Sequence, residues 1–399
     1  MRIGMYSDTT FPSPDGVAVS LEAFGRGLQQ LGTDVEVIAP RQLRSGTILT
    51  RPIASIKPPG RDYHVGLVFP WSKSSRASAA RYDIVHVHTL GPVGLAGMKA
   101  AHSARIPAVL TWHTDLIAYR QYYPEIRLGL LVVAATLFSQ TTSARGGRSS
   151  LNQRTITRRL LSAFDRIIVP SSKAYHQVRR LGALQHIDII PNPTLPLAPP
   201  RSTTTELRYN LKIPANSEVV LSVGRLSKEK NLTCLLRAFS ILKSRHPNVQ
   251  LVLVGPSRGD RHLVGLARAL GVLDSVHITG LVERDLLGAY YSLSHIFVLP
   301  SLSETQSLAA IEAAAFGLPV IVVDSDLDNA FEDHHRVVAE SSPPQLARHM
   351  NDCLDEVRDR PTPGYPTMER YRPTILDQSK KLIEVYSSLM HVRDGTTST

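Results

Sequence analysis

Short apolar runs alternate with helical patterns along this chain, in two separate series. In the first series the run 2–7 is followed by apolar residues at Val17, Leu21, Phe24 and Leu28, the spacing of one helical face. Further apolar runs in this series lie at 35–39, 84–88, 108–112 and 166–169. Strands that alternate with helices pair in parallel, because each crossover helix returns the chain to the same edge. The pattern predicts an α/β fold with doubly wound parallel sheets.

A proline-rich stretch at residues 191–217 separates the two series. Proline is excluded from helix and sheet interiors, so this stretch is predicted to be an interdomain linker. The alternation then restarts, with predicted strands at 219–223, 250–255, 276–279, 296–299 and 320–323. Because 399 residues exceed what one core usually supports, we predict two domains with a ligand cleft between their strand ends. Their bounds are 1–190 and 218–372, and a final helix with a polar tail over 373–399 is expected to pack against another element, such as the first domain.

The net charge of +11 comes from the first half of the chain. Residues 1–200 hold 23 Lys and Arg against 11 Asp and Glu, whereas the remainder is nearly balanced. No acid lies between Glu125 and Asp165, a segment rich in arginine. This asymmetry indicates an anionic partner, such as a lipid headgroup surface or a phosphorylated acceptor; a basic surface without a partner is the alternative. Nucleic acid is not expected, because stacking aromatics are not interleaved with the basic residues.

Several classes of protein are excluded by motifs that the sequence lacks. No stretch approaches the roughly 18 apolar residues that cross a bilayer, and the first residues lead into a strand rather than a signal peptide. Cys234 and Cys353 lie far apart without metal-ligand spacing, and Walker, H-E-x-x-H and G-x-G-x-x-G motifs are absent. Asp324 and Asp326 are interpreted as a polar loop. We therefore expect a cytoplasmic protein without disulfide, metal or cofactor, with peripheral attachment to the inner membrane face left open.

The strongest chemical signal is a pair of glutamates eight positions apart. Glu304 follows the predicted strand 296–299 through a Pro-Ser turn, and Glu312 lies inside the Ala-rich helix that comes next. A carboxylate at the carboxyl end of a strand, beside a helix N-terminus, lies where open α/β sheets bind phosphorylated ligands. Glu312 is expected to face the same crevice from about two turns into the helix. The arrangement favours a sugar-nucleotide site over two solvated carboxylates.

Two cations follow the first predicted strand of the second domain. Arg225 offers a fork that binds phosphate bidentately, and Lys230 offers a mobile point charge. Asn231 is predicted to cap the helix that begins at Leu232, which places both cations near a positive helix end. A solvated turn would explain this segment taken alone. Together with the two glutamates, a clamp for a diphosphate is favoured.

The first domain offers fewer candidates. His113 follows a predicted strand and is placed to donate to a sugar hydroxyl or to act near the anomeric centre, with a purely structural histidine as the alternative. His86 and His88, in the preceding strand, are interpreted as structural. Gly16 lies in the turn before the first predicted helix and permits close approach of backbone N–H groups to a phosphate.

In this order, the motifs resemble those of the retaining glycosyltransferases of family 4, which have the GT-B fold. The resemblance covers about residues 1–325, and three segments are similar to the branch that glycosylates membrane glycerolipids. They are Ser7-Asp-Thr-Thr-Phe-Pro-Ser-Pro-Asp-Gly-Val17, His113-Thr114…Tyr119, and Ser303-Glu-Thr-Gln-Ser-Leu308. The resemblance implies two Rossmann-like domains facing a central cleft, the first for the acceptor and the second for the nucleotide sugar.

The resemblance also implies roles for individual residues. Arg225 and Lys230 would hold the donor diphosphate and offset charge on the leaving group. Glu304 would contact the sugar hydroxyls, Glu312 the ribose, and His113 the transferred sugar, without an obligatory metal. The implied donor-binding residues are Gly16, Arg225, Lys230, Glu304, Thr305, Gln306, Ser307, Leu308 and Glu312, and the implied catalytic residues are His113, Arg225, Lys230 and Glu304.

Three departures from the family pattern leave the donor sugar and base open. Ser307 replaces a glycine, Pro193 replaces the glycine of Pro-Asn-Gly, and the Gly-Gly-x-x-Glu that usually follows the last donor strand is absent. The acceptor is open as well: a membrane glycolipid, or a soluble phosphorylated or nucleotide-linked compound of bacterial secondary metabolism such as antibiotic biosynthesis. A non-catalytic sugar-nucleotide-binding protein and a sugar-nucleotide epimerase are the remaining alternatives.

Overall fold

The computed structural model divides the chain into two units, which we name by position. The N-terminal unit is Met1–Leu195 with Pro373–Thr399, and the C-terminal unit is Pro196–Arg372. The residues that the structure describes are 1–11, 13, 15–40, 48–56, 65–66, 79–113, 153–197, 203–256, 261–324, 326–327, 335–337, 342–358 and 373–396.

A seven-stranded parallel sheet, in the order β3-β2-β1-β6-β7-β8-β9, runs through the N-terminal unit. Its strands are β1 (Arg2–Tyr6), β2 (Asp34–Pro40), β3 (Thr50–Ile53), β6 (Ile84–Val87), β7 (Ala108–Thr111), β8 (Arg166–Val169) and β9 (His186–Ile189). A separate antiparallel pair is formed by β4 (Ser55–Ile56) and β5 (Val65–Gly66). The helices are α1 (Gly16–Gln30), α2 (Pro92–Ala104), α3 (Gln153–Leu161), α4 (Ser172–Arg180) and α11 (Ile375–Thr396).

Both faces of this sheet are covered, which explains why its strands read as continuous apolar runs. Successive side chains of a strand point to opposite faces, so Ile3 and Met5 join one core while Tyr6 joins the other. On the first of these faces α11 packs against α1. A Cβ atom added at Gly27 of α1 would lie 2.2 Å from Ser379 Oγ, so this glycine permits the close approach of the two helices. The final helix therefore packs within the N-terminal unit.

A six-stranded parallel sheet, in the order β12-β11-β10-β13-β14-β15, runs through the C-terminal unit. Its strands are β10 (Val219–Val223), β11 (Gln250–Val254), β12 (Val276–Gly280), β13 (Ile296–Leu299), β14 (Val320–Val322) and β15 (His335–Val337). Its helices are α5 (Thr204–Leu211), α6 (Leu232–Lys243), α7 (Arg261–Ala269), α8 (Arg284–Leu293), α9 (Leu308–Ala315) and α10 (Pro343–Val357). The prediction of two parallel-sheet α/β domains is confirmed.

Part of the segment predicted to be linker is folded into the C-terminal unit. Residues 204–211 form α5, and Leu207 and Ile213 are buried in that unit's core. Thr203 and Glu206 form a capping box, in which each side chain accepts from the other's backbone N–H. The interpretation of all of 191–217 as linker was wrong, because the dense run of prolines ends at Pro200 and a helix-start signal follows it.

The remaining differences concern strands that the sequence pattern did not reveal. β3, β9 and β15 have three or four residues each and carry exposed or polar positions, so they lack the apolar run on which strand prediction depends. The predicted motif residues Thr114 and Tyr119 lie outside the described residues. Most of the acid-free segment 126–164 lies outside them as well. Within the described part of the chain, no helix combines the length and apolar character needed to traverse a bilayer.

Candidate functional site

The order of strands in the C-terminal sheet reverses between β10 and β13. In open parallel sheets the crevice at such a reversal, outside the carboxyl ends of the strands, is the usual place for a ligand. β10 ends at Val223 and β13 at Leu299, so the loops beginning at Gly224 and Pro300 border this crevice. A Cβ atom added at Gly255, which directly follows the neighbouring strand β11, would lie 1.9 Å from the carbonyl oxygen of Gly224. Glycine at 255 therefore allows the strand ends to converge tightly.

Lys230 and Glu304, which come from these two loops, form an ion pair through Lys230 Nζ and Glu304 Oε1. Their side chains are only 18% and 12% exposed. Burial raises the pKa of the Glu304 carboxyl, but Lys230, the neighbouring Ser301 hydroxyl and the charge of Arg225 outweigh burial, so its pKa lies below the usual value. Glu304 is therefore ionised at neutral pH. The structure thus brings Arg225, Lys230 and Glu304 together.

Arg225 is held by an acid that the sequence reading did not select. Its Nη2 atom lies 3.2 Å from Oε1 of Glu229, which is buried and also accepts from Ser227 Oγ at 2.6 Å. The hydroxyl of Ser301 donates to the backbone carbonyl of Glu229 at 3.2 Å, tying the loop after β13 to the loop after β10. The sequence signal for Glu229 is its position as a single acid between Lys228 and Lys230.

Asn231 occupies the N-cap position of α6, but it does not cap the helix with its side chain. Its φ angle is +52°, in the left-handed region that asparagine tolerates. Its Nδ2 group instead donates to the carbonyl oxygen of Pro300 at 3.2 Å. The predicted cap chemistry was wrong, and the amide serves to hold the two site loops together.

Three residues, Thr305, Gln306 and Ser307, lie between Glu304 and α9, which begins at Leu308. Ser307 is its N-cap, and its Oγ accepts from the N–H of Ala310 at 3.3 Å. Thr305 and Ser307 are buried, whereas Gln306 and Leu308 are half-buried. The serine that replaces the family's usual glycine is therefore engaged in capping, and it caps with a neutral hydroxyl.

Glu312 has a different set of partners from Glu304. It is 3% exposed; Arg284 Nη1 lies 2.7 Å from its Oε1, and the Tyr291 hydroxyl donates to its Oε2 at 2.9 Å. Both partners belong to α8. The structure does not join Glu312 to the cluster of Arg225 and Lys230, and its contact with a ribose stays a prediction.

In the N-terminal unit the corresponding reversal lies between β1 and β6, and its edge holds carboxylates. Asp8 accepts from Thr89 Oγ1 at 2.6 Å and from the N–H of Val93 in the first turn of α2 at 2.9 Å. Burial raises the pKa of Asp8 against these hydrogen bonds. Asp15 caps α1 through the N–H of Ala18 at 2.9 Å. A phosphate at Gly16, the first residue of α1, would therefore approach beside a carboxylate.

Three histidines lie close together in the same unit. His113, half-buried two residues after β7, has Nε2 3.1 Å from Nδ1 of His88. His86 is fully buried; its Nδ1 lies 2.6 Å from the Tyr386 hydroxyl and its Nε2 2.7 Å from Thr111 Oγ1. Burial lowers the pKa of His113 and that of His86 to about 3, so both rings are neutral at pH 7. The sequence reading did not connect His88 with His113.

The polar loop after β14 holds Asp324 and Asp326. Asp324 is buried and its Oδ1 accepts from the N–H of Asp326 at 3.1 Å, the arrangement of a turn. Among the described residues no group of three or more His, Cys, Asp or Glu side chains is arranged to hold a metal ion.

Comparison with known proteins adds the family. Residues 14–194 match the family model described as Glycosyltransferase Family 4, and residues 203–363 match that described as Glycosyl transferases group 1. The chain is 28% identical over 365 residues to the alpha-monoglucosyldiacylglycerol synthase of Acholeplasma laidlawii, covering 88% of this chain and 87% of that protein. It is 27% identical over 385 residues to the D-inositol 3-phosphate glycosyltransferase of Xylanimonas cellulosilytica, covering 85% and 86%.

A solved structure shows the same fold. The crystal structure of Anabaena HepE in complex with UDP and glucose superposes with a TM-score of 0.72 at 18% identity, covering 97% of this chain and all of that one. Both halves of the chain match glycosyltransferase family models, and each half holds a parallel sheet. The chain belongs to the family 4 glycosyltransferases of GT-B fold.

Proposed function

We propose that this protein is a retaining glycosyltransferase that moves a hexose-type sugar from a nucleotide-diphosphate donor to a hydroxyl of a membrane glycolipid or related lipid. The observation that carries the proposal is the cluster of Arg225, Lys230 and Glu304 at the strand reversal of the C-terminal sheet. Two cations and one ionised carboxylate at that position suit a ligand that is anionic at one end and rich in hydroxyls at the other.

The ion pairs of this cluster suggest how a donor would bind. Lys230 forms an ion pair with Glu304, and Arg225 forms one with Glu229. A diphosphate would draw the two cations toward its oxygens and release Glu304 to accept from sugar hydroxyls. During transfer, negative charge builds on the departing diphosphate, and the two cations would stabilise it in a partly buried site where charge interactions are strong.

The other donor-site residues have proposed roles that follow their positions. The backbone N–H groups at the start of α9, after Ser307, would donate to the phosphates, because the N-terminus of a helix favours an anion. Glu312, held in place by Arg284, would accept from ribose hydroxyls. His113 would contact the transferred sugar, and Gly16 would lie against the phosphates.

A donor panel is the first experiment. The protein is incubated with UDP-, ADP- and GDP-sugars. Consumption of each donor is measured without an acceptor and with diacylglycerol or monoglucosyldiacylglycerol as acceptor. We expect one donor to be consumed, faster with acceptor present, and the product to keep the donor's anomeric configuration by NMR. Donor binding without turnover for every sugar and acceptor would make the protein a non-catalytic sugar-nucleotide binder instead.

The lipid acceptor is favoured by the relative from Acholeplasma laidlawii, whose name denotes a diacylglycerol glucosyltransfer reaction, and by the basic surface of the first half. Within the described residues the last turns of α3 and α4 expose Arg158, Arg159, Arg179 and Arg180. Basic residues of this kind attract an anionic membrane surface. We infer a peripheral contact with the inner face of the membrane.

A soluble phosphorylated acceptor is the second candidate, favoured by the relative named D-inositol 3-phosphate glycosyltransferase. Co-sedimentation separates the two. If the acceptor is a membrane lipid, we expect the protein to bind anionic vesicles, more weakly at high salt, and not to bind neutral vesicles. Equal, negligible binding to both would favour the soluble acceptor. No obligatory metal is expected; loss of turnover in EDTA, restored by Mg²⁺, would contradict that part.

A further inference from the structure

His88 is the buried neighbour of the proposed sugar-contacting histidine. It follows β6, is 1% exposed, and its Nδ1 lies 3.1 Å from Nε2 of His113. The two rings are stacked with an interplanar angle of 23°. The contact joins the ends of two neighbouring strands, so it fixes the orientation of the His113 ring.

Each of the two rings carries one proton at neutral pH. Burial lowers the pKa of His113 to about 3 and that of His88 well below the usual value, in the second case with help from His86. A neutral imidazole has one N–H and one acceptor nitrogen. Of the two nitrogens that face each other, one must donate and the other must accept.

His86 does not decide which ring donates, because both of its nitrogens are engaged. They face the hydroxyls of Tyr386 and Thr111, so His86 contacts His88 only through the ring, with centroids 4.1 Å apart. The remaining nitrogen of His88, Nε2, is buried, and no hydrogen-bond partner for it is found among the described residues.

The buried Nε2 of His88 settles the direction. If His88 carried its proton there, a buried N–H group would have no acceptor. Orphaned buried donors are rarer than under-satisfied acceptors, so the proton belongs on Nδ1. His88 Nδ1–H then donates to Nε2 of His113, and the single proton of His113 must be on its Nδ1.

We propose that His88 is a positioning residue, which holds His113 as the Nδ1–H tautomer and so makes it a hydrogen-bond donor and not a general base. The catalytic part of this inference rests on the proposed function, whereas the tautomer does not. With Nε2 occupied by His88, His113 has no second nitrogen with which to take a proton from an acceptor hydroxyl.

The tautomer is measured directly on the full chain. Long-range ¹H–¹⁵N correlation spectra are recorded at pH 7 with ring-labelled histidine, and the two residues are assigned with His113→Gln and His88→Asn. We expect His88 and His113 both protonated at Nδ1. Protonation of His113 at Nε2 in the unmodified protein would overturn the proposal, whatever the variants do.

Two substitutions of His88 test the effect on transfer. The amide of His88→Asn places an N–H near the position of Nδ1, and we expect it to keep the tautomer and most of the turnover. His88→Phe removes the donor, and we expect mixed tautomers and a loss of about tenfold in kcat, the scale of one hydrogen bond. The nucleoside diphosphate Kd should stay unchanged in both, because the cations that bind it belong to the C-terminal unit.

The control is Tyr386→Phe, which removes a buried hydroxyl from the same cluster without touching His113. It should leave the His113 tautomer unchanged; a shift as large as that in His88→Phe would contradict a specific role for His88. If no sugar donor is turned over, the proposed function fails, while the tautomer measured in the unmodified protein still decides this inference.

Discussion

The two sheet reversals of this molecule have the same topology and opposite electrostatics. In the N-terminal unit the helix ends at the reversal are occupied by carboxylates of the chain itself, Asp8 at α2 and Asp15 at α1. The nearby histidines are neutral; His86 and His88 are buried and His113 is half-buried. In the C-terminal unit Ser307 caps α9 with a neutral hydroxyl, and Arg225 and Lys230 lie close by.

This difference shows that a parallel sheet supplies the crevice but does not choose the ligand. The N–H groups of a helix start attract an anion, and a carboxylate from the chain satisfies them as well as a phosphate does. A phosphate can therefore be accommodated at a helix N-terminus that is not capped by a carboxylate of the chain. By this argument the C-terminal crevice is better suited to a diphosphate than the start of α1, where Gly16 would contact the phosphates with Asp15 beside it.

The largest effect is expected from removing the central cation. Lys230→Met should lower turnover by about 10²–10³-fold, because charge on the leaving diphosphate loses a stabilising group. It should also destabilise the fold by about 3–5 kcal/mol, because Glu304, a mostly buried carboxylate, loses its ion-pair partner. Turnover assays and urea unfolding measure the two effects.

The matched control for this variant is the double substitution Lys230→Met with Glu304→Gln. It removes both charges and should recover most of the stability without recovering turnover. Full turnover in Lys230→Met would contradict the comparison of the two crevices, because the charge of Lys230 would then not contribute to transfer.

Nucleotides should distinguish a diphosphate clamp from a general nucleotide pocket. At a concentration of 100 Kd, a ligand adds about 2.7 kcal/mol to the free energy of unfolding of its unit. We expect UDP, or ADP or GDP if the donor panel selects another base, to raise the Tm more than the monophosphate does. Arg225→Gln should narrow that difference. Equal Tm shifts for the diphosphate and the monophosphate would show that neither Arg225 nor Lys230 binds the second phosphate.

Acid should act on the neutral histidines of the N-terminal unit. The folded pKa of His86, about 3, lies below its unfolded value near 6.5, so the stability it contributes is present above pH 6.5 and is lost as the pH falls toward 3. Each pH unit in that range costs about 1.4 kcal/mol per such histidine. Urea unfolding between pH 7 and 5 should show a shallower pH slope in His86→Gln.

Thr111→Val is the matched control for the acid experiment. It removes a hydrogen-bond partner of His86 but no titrating group, so it should lower stability at every pH and leave the slope unchanged. An unchanged slope in His86→Gln would mean that this ring is not excluded from protonation in the folded state.

The sequence predicted the sheets and the meeting of Arg225, Lys230 and Glu304 because both depend on local patterns. Apolar runs mark buried strands, and the carboxyl ends of parallel strands lie at one edge, so residues just after β10 and β13 are brought together. Their roles in binding a donor stay predictions.

What the sequence did not predict depends on tertiary position. Arg284 reaches Glu312 from another helix, and no spacing rule connects residues 28 positions apart. The side chain of Asn231 was expected to cap its own helix, but the nearby carbonyl of Pro300 competes for it. The capping box of α5 was visible in the sequence and was overlooked beside the dense prolines.

The smallest expected effect comes from giving the C-terminal helix end a carboxylate cap like that of the N-terminal unit. Asp and Ser are comparable N-caps, but Ser307 is buried, so the charge of Ser307→Asp should lower the free energy of unfolding by about 1 kcal/mol. Its charge should weaken diphosphate binding by about tenfold, the scale of one repulsive contact near a protein surface.

Ser307→Gly, which restores the residue usual in the family, is the neutral control. It should cost only a few tenths of a kcal/mol of stability and leave diphosphate affinity intact, as measured by calorimetric titration. Equal affinity in Ser307→Asp and Ser307→Gly would show that the start of α9 takes no part in holding the phosphates. The contrast between the two crevices would then rest on Arg225 and Lys230, and the neutral cap would be a matter of helix stability.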